Sequence, residues 1–298
     1  MSMPHLPVQQ LQQPSNMPPS FAVKPGIPTG EDFLNPAVFQ SAMTEYLTNR
    51  TGPLASINAG SSLLSLSQIG TSLSNLTNLP TSNPHTHPSL RAQHQLLLNN
   101  LASNAAAAQI IYFVGGFSPW LYADVSRTFV PPNDGGNYYT ILGLLQHPFS
   151  RGSIHIQSSD ATIPPVVDTQ DLSHPLDVEI AKALTLQLQK ITSTPPLSSF
   201  LQGNGTVFQR GYHKLTEENV EGYVREYALV AAHYAGTCAM MPRNKGGVVD
   251  NRLKVHGVGR LRVVDGSVFP MVPQGTVNSA VVGVAERAAD LVKGDYGV

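Results

Sequence analysis

The stretch His233-Tyr-Ala-Gly-Thr-Cys-Ala-Met-Met-Pro242, continued by Gly246-Gly-Val-Val-Asp-Asn251, Val255-His-Gly-Val258 and Leu261-Arg-Val-Val-Asp-Gly-Ser-Val-Phe-Pro270, decides how this chain is read. Glycine-bearing turns alternate with β-branched runs, and the last run ends in Asp-Gly-Ser. Such a pattern predicts short strands whose ends present a histidine, an acid and exposed backbone amides. A lone histidine is more often structural than functional, so the pattern alone does not define a site.

Around it, spacing predicts the elements that carry this segment. Asp177 to Ile191 places Ile180, Leu184, Leu188 and Ile191 at helical intervals and ends before Pro195-Pro196. A helix capped by Thr216, with Glu217 and Glu218 in its first turn, is expected to run to about Tyr227. The closing helix is expected from about Asn278, with Val281, Val284 or Ala285, Ala288 and Leu291 on one face.

Upstream, Ile110–Val114, Tyr138–Leu145 and Ser153–Gln157 read as strands able to pair into a sheet. Ser89–Ala108 reads as a helix that includes the alanine run. Phe21-Ala-Val23 reads as a short strand. Asn35 caps a helix with Pro36 in its first turn and Val38, Phe39, Met43, Tyr46 and Leu47 along one side. Residues 1–20, rich in Pro and Gln, are expected to form an irregular tail.

Composition narrows the function classes. With 298 residues, 41% of them hydrophobic, the chain can bury a real core. A net charge of −1 with 12% charged residues offers neither a basic face for nucleic acid nor a polybasic membrane patch. Cys238 is the only cysteine, which rules out an internal disulfide and a cysteine-based zinc site. The histidines at 85 and 87 lack further ligands nearby in sequence, so no metal site is expected. The first residues do not resemble a secretory signal, the apolar run from Ala105 to Phe117 is too short to span a bilayer, and localisation stays open.

The quoted segment strongly resembles the carboxy-terminal signature of glucose-methanol-choline (GMC) flavoproteins such as glucose oxidase and aryl-alcohol oxidase. That signature is His-x-x-Gly-Thr-Cys, then Gly-Val-Val-Asp, Leu-Arg-Val-x-Asp-x-Ser and Pro, all present here in order. Ser150-Arg-Gly-Ser-Ile154, Pro164-Pro165, Ser173-His-Pro-Leu-Asp177, and Tyr46 followed by Thr51-Gly-Pro-Leu54, are similar to elements further upstream in the family. The resemblance covers roughly residues 21 to 295. It implies an α/β fold, the α+β substrate domain of such a flavoprotein, with a β-sheet flanked by helices. A partial substrate-binding region over 21–147 and a carboxy-terminal domain over 148–298 are expected.

The resemblance also implies roles. His233 matches the base that takes the alcohol's proton as hydride leaves carbon for flavin N5, a task suited to a group titrating near neutrality. Thr276 matches the position of a second catalytic group, usually His or Asn, that hydrogen-bonds the substrate oxygen. Threonine donates and accepts a hydrogen bond but carries no stable positive charge. Asp265 and Gly266 match residues near the flavin's pyrophosphate and ribityl chain, and the amide of Val277 matches one near the flavin pyrimidine oxygen.

FAD is thus the implied cofactor and a small-molecule alcohol the implied substrate. The family's Gly-x-Gly-x-x-Gly turn for the adenosine diphosphate is not found in the sequence. The chain is therefore expected to start midway through the family's length, by gene truncation, a misassigned start or domain loss. A complementing amino-terminal FAD-binding half becomes a possible partner. Three functions are open: alcohol oxidation, a non-redox cyclisation or dehydration that keeps flavin structurally, and a catalytically silent fragment that binds a partner chain.

Overall fold

The computed structural model describes residues 10–11, 15–17, 19–55, 60–76, 88–116, 135–207, 212–230 and 232–297; His85 and His87 lie outside these. In chain order, β1 (Gln10–Leu11), β2 (Ser15–Met17) and β3 (Ser20–Ala22) precede α1 (Pro36–Asn49). Then come β4 (Ser61–Leu64), the single turn α2 (Leu73–Leu76), α3 (Pro88–Ala102), β5 (Ala108–Phe113) and β6 (Tyr138–Leu145). After these, β7 (Gly152–His155), β8 (Val166–Asp168), α4 (Pro175–Thr192), α5 (Val220–Tyr227), β9 (Leu229–Val230) and α6 (Asn278–Tyr296) complete the chain.

The main sheet is antiparallel, in the order β4-β5-β6-β2-β9, with β3 also on β6. A smaller sheet has the order β1-β7-β8. Alternation along the strands gives the main sheet two faces. Ala108, Ile110, Ile141 and Leu145 join the large apolar cluster with Leu176, Ile180, Leu184 and Leu188 of α4. Leu142 and Leu144 point the other way, with Ile111 and Leu229 against them. A Cβ at Gly143 would stand 2.9 Å from Leu188 and 3.0 Å from Leu184, so glycine is what lets α4 lie close on the sheet. The large cluster draws on both sides of the boundary expected at 147/148.

The first turn of α4 is tied to the chain after β6 by a buried carboxylate. Asp177 accepts from the amides of Phe149 (2.8 Å) and Ser150 (2.6 Å) and from Ser150 Oγ (2.6 Å). Beside this cluster, His94 of α3 bonds the carbonyl of Phe149 (3.0 Å) and meets the rings of Phe149 and His174 edge-on. Burial, then Arg151, then His174 lower the His94 pKa to about 4.

Several expectations are corrected. Residues 10–11 and 15–17 are not an irregular tail but strands, because pairing uses backbone donors and acceptors that Gln, Ser and Asn supply as well as apolar residues do. The alanine run does not continue α3. Asn104 turns the chain with φ 62°, and Ala107 and Ala108 are buried, so tertiary burial overrides helix propensity. Asn35 does cap α1, accepting from Ala37 N at 3.0 Å, yet the apolar side of that helix is no core face. Only Ala42 is buried there, while Leu47 is 60% exposed, since spacing sets which residues share a face but not what covers it. Helix α5 begins at Val220 rather than after Thr216, whose carbonyl instead accepts from Asn219 and Val220 in a preceding turn.

Candidate functional site

The strands expected between His233 and Pro270 are reduced to isolated bridges, Met240 with Val249, Val249 with Val255 and Lys254 with Arg262. Their glycine turns are too closely spaced for longer ladders. A small cluster of Val249, Leu253, Val268 and Ala288 lies beneath. Order comes instead from backbone bonds between distant segments: Cys238 N donates to Ser267 O (2.9 Å) and Met240 N to Val268 O (2.8 Å).

This pairing lays the segment after His233 along Asp265–Val268. The Asp265 carboxylate accepts from Ser267 N (2.8 Å) and caps the turn 266–268. Gly266 passes close to the other segment, where a Cβ would come within 3.1 Å of Tyr234 O. Between the segments and the β7–β8 hairpin lies a cleft of about 510 Å³, lined by Tyr234, Thr237, Asp265, Gly266 and Ser267 with Ile154 and Val167 facing them. Among the described residues, Ser267 Oγ is buried with no hydrogen-bond partner. A buried hydroxyl usually has one, so this atom marks a place where a bound molecule could supply it.

His233 is half-buried beside Tyr234 but is not among the residues lining the cleft. Burial lowers its pKa below the ordinary 6.5, so the imidazole is neutral at neutral pH and has a lone pair to offer. Thr276 is exposed in the loop before α6. Val277 holds the N-cap position of α6, next to the helix's first amides, which have no partner within the helix. That loop is anchored to the end of β6: His147 Nδ1 bonds Val272 O (3.1 Å), and Gly275 N donates to Gln146 Oε1 (2.5 Å). The structure thus gathers Asp265 and Gly266 at one cleft and holds Thr276 and Val277 on a second, separately tethered loop.

Sequence reasoning passed over Ser267, Gln146 and Gln109. Gln109 left a signal, since it interrupts an otherwise apolar run. Among the described residues, no helix is long and apolar enough to cross a membrane.

The fold is that of one half of a larger known architecture. Over 99% of its length the chain superposes on 49% of an FAD-dependent oxidoreductase from Chaetomium thermophilum, with a TM-score of 0.77 at 20% identity. Residues 148–285 match the GMC oxidoreductase model, so this part of the chain is a carboxy-terminal domain of that family. It is 35% identical over 207 residues to the glucose oxidase-like protein fsoC of Humicola fuscoatra, covering 69% of this chain and 31% of that protein. Versicolorin B synthase of Aspergillus parasiticus is 34% identical over 208 residues, covering 68% of this chain and 31% of that protein. The chain therefore spans about a third of these curated relatives and about half of its structural neighbour.

Proposed function

We propose that this chain forms the substrate side, and part of the cofactor contact, of an FAD-dependent oxidoreductase acting on a CH–OH group of a small organic molecule. The observation that carries the reading is the cleft at Asp265–Ser267. An acceptor-only carboxylate, an unpartnered hydroxyl and a side-chain-free glycine suit a hydroxyl-bearing chain, such as the ribityl segment of FAD, better than a phosphate. FAD, when bound, supplies the hydride acceptor. His233, held neutral by burial, takes the proton from the substrate hydroxyl. Thr276 hydrogen-bonds the substrate oxygen, and the amide of Val277 offers a donor to the flavin ring.

A second reading, non-redox cyclisation or dehydration with flavin retained, is favoured by threonine at 276, which carries no stable positive charge. A third, a silent fragment docked on a partner chain, is favoured by the uncovered apolar side of α1. The adenosine diphosphate portion of FAD requires a complementing FAD-binding half as partner, and the chain by itself should bind FAD weakly or not at all, since fewer contacts must still offset the entropy of binding.

The test is to purify the chain alone and with such a half, record the flavin absorbance, and mix the flavin-loaded protein anaerobically with simple primary alcohols. Bleaching of the flavin band supports alcohol oxidation. Product formation without bleaching selects the second reading, and loading without any turnover the third. Tight stoichiometric FAD on the chain alone would overturn the need for a partner half.

A further inference from the structure

Two buried glutamines on the second face of the main sheet form a directed chain that ends on the loop carrying Thr276. Gln109 and Gln146 are 7% and 2% exposed. The register pairs Gln109 with Leu144, and Gln146 N donates to Ala107 O, so both side chains leave the face that also carries Leu142 and Leu144. Gln109 Nε2 donates to Ser61 Oγ (2.7 Å), and Gln146 Nε2 donates to Gln109 Oε1 (3.2 Å). Gln146 Oε1 accepts the amide of Gly275 at 2.5 Å. Because Gly275 offers only a donor, the orientation of Gln146 is determined, and Gln146 in turn determines that of Gln109.

We infer that Gln146 is a positioning residue: backed by Gln109, it sets where the backbone of Gly275, Thr276 and Val277 lies, and so where the Thr276 hydroxyl and the Val277 amide are presented. Gly275, at φ +84°, turns the chain at the held amide, so the tether acts where the loop changes direction. Leu142 and Leu144 share this face, so an apolar side chain would suit its burial but would leave the Gly275 amide without its acceptor. The functional meaning rests on the roles proposed for Thr276 and Val277, while the geometry does not.

The test uses amide NMR and hydrogen exchange on the full chain, with neither flavin nor substrate. Gln146→Met keeps length and removes the acceptor. Exchange at Gly275 should quicken about tenfold or more, the worth of one ordinary hydrogen bond, and the Thr276 and Val277 resonances should move while those of Leu184 and Leu188 stay. Gln146→Glu, at a pH low enough to keep the buried carboxyl neutral, accepts from Gly275 and donates to Gln109, and should restore the parent pattern. If Gln146→Met does not fold, Gln109→Met removes the backing and leaves the Gly275 contact, and should move the same resonances less. The inference is overturned if Gly275 exchange and the Thr276 and Val277 resonances match the parent in whichever of the two methionine variants folds. In flavin-loaded protein, a displaced loop with unchanged kcat and KM would remove Thr276 from the proposed reaction and leave the tether standing.

Discussion

In the body of the molecule, β6 and α4 meet across Gly143 and bury Leu184 and Leu188 completely. In the segment from His233 to Val277, the apolar cluster beneath is four residues, and position is set by bonds such as Cys238 N to Ser267 O and Gly275 N to Gln146 Oε1. Side chains resist displacement in the first region by packing. In the second they are carried on backbone that turns at short intervals, which leaves polar residues such as Asp265 and Ser267 lining a cleft. Apolar packing gives stability, and backbone tethering gives placement with side chains left free for chemistry.

The largest effect should come from His233→Ala in flavin-loaded protein with a complementing half. The rate of flavin reduction is expected to fall by roughly two to four orders of magnitude, the usual worth of general acid–base catalysis, with the thermal midpoint nearly unchanged. Reduction as fast as in the parent would take His233 out of the reaction, and a collapse of stability would break the division between the two regions.

Next is the body itself. Leu184→Ala should cost about 2–5 kcal/mol, the range for a fully buried leucine, whereas Val249→Ala in the smaller cluster should cost about 1.5–2 kcal/mol at roughly 0.8 kcal/mol per buried CH2. Urea titration of both variants checks the ranking, and an equal cost would show that the small cluster bears more of the fold than its size suggests.

His94 belongs to the body and contributes to its pH response. Its folded pKa, about 4, lies below the ordinary 6.5, so the unfolded chain takes up the proton first as pH falls. The stability is fully present above pH 6.5 and is lost progressively down to about pH 4. The loss is about 1–2 kcal/mol once the part-exposure of the ring is discounted for solvent screening. His94→Gln keeps an amide donor for Phe149 O, and denaturation curves across this window should flatten. An unchanged slope would assign the acid sensitivity to another group.

The smallest effect is expected at the tethered loop. Thr276→Asn should speed flavin reduction by a simple alcohol about tenfold if one transition-state hydrogen bond worth about 1.4 kcal/mol is regained. Unchanged or slower oxidation, with collapse of the natural reaction, would favour the non-redox reading.

The body was the more legible region. Tyr138–Leu145 is dense in β-branched and apolar residues, and Ile180, Leu184 and Leu188 recur at helical spacing, so both elements follow from local pattern. Pairing of Gln10–Leu11 with Gly152–Ser153 is carried by backbone groups every residue has, and nothing local marks it. Of the candidate site, Asp265 and Gly266 at the cleft were named from the ordered motif between His233 and Pro270. The site's assembly was not legible. That the chain after His233 lies along Asp265–Val268, and that Gln146 reaches Gly275 across 129 positions, depends on long-range bonds.

The pairing of Cys238 with Ser267 has a practical corollary. As the sole thiol of the sequence, partly accessible and one residue along from Thr237 at the cleft, Cys238 is a ready-made single-site reporter. The speed at which it is alkylated by a thiol reagent gauges how often this seam parts. Occupancy of the cleft should then register as slower labelling, a clock for ligand entry that needs no coloured cofactor and no turnover.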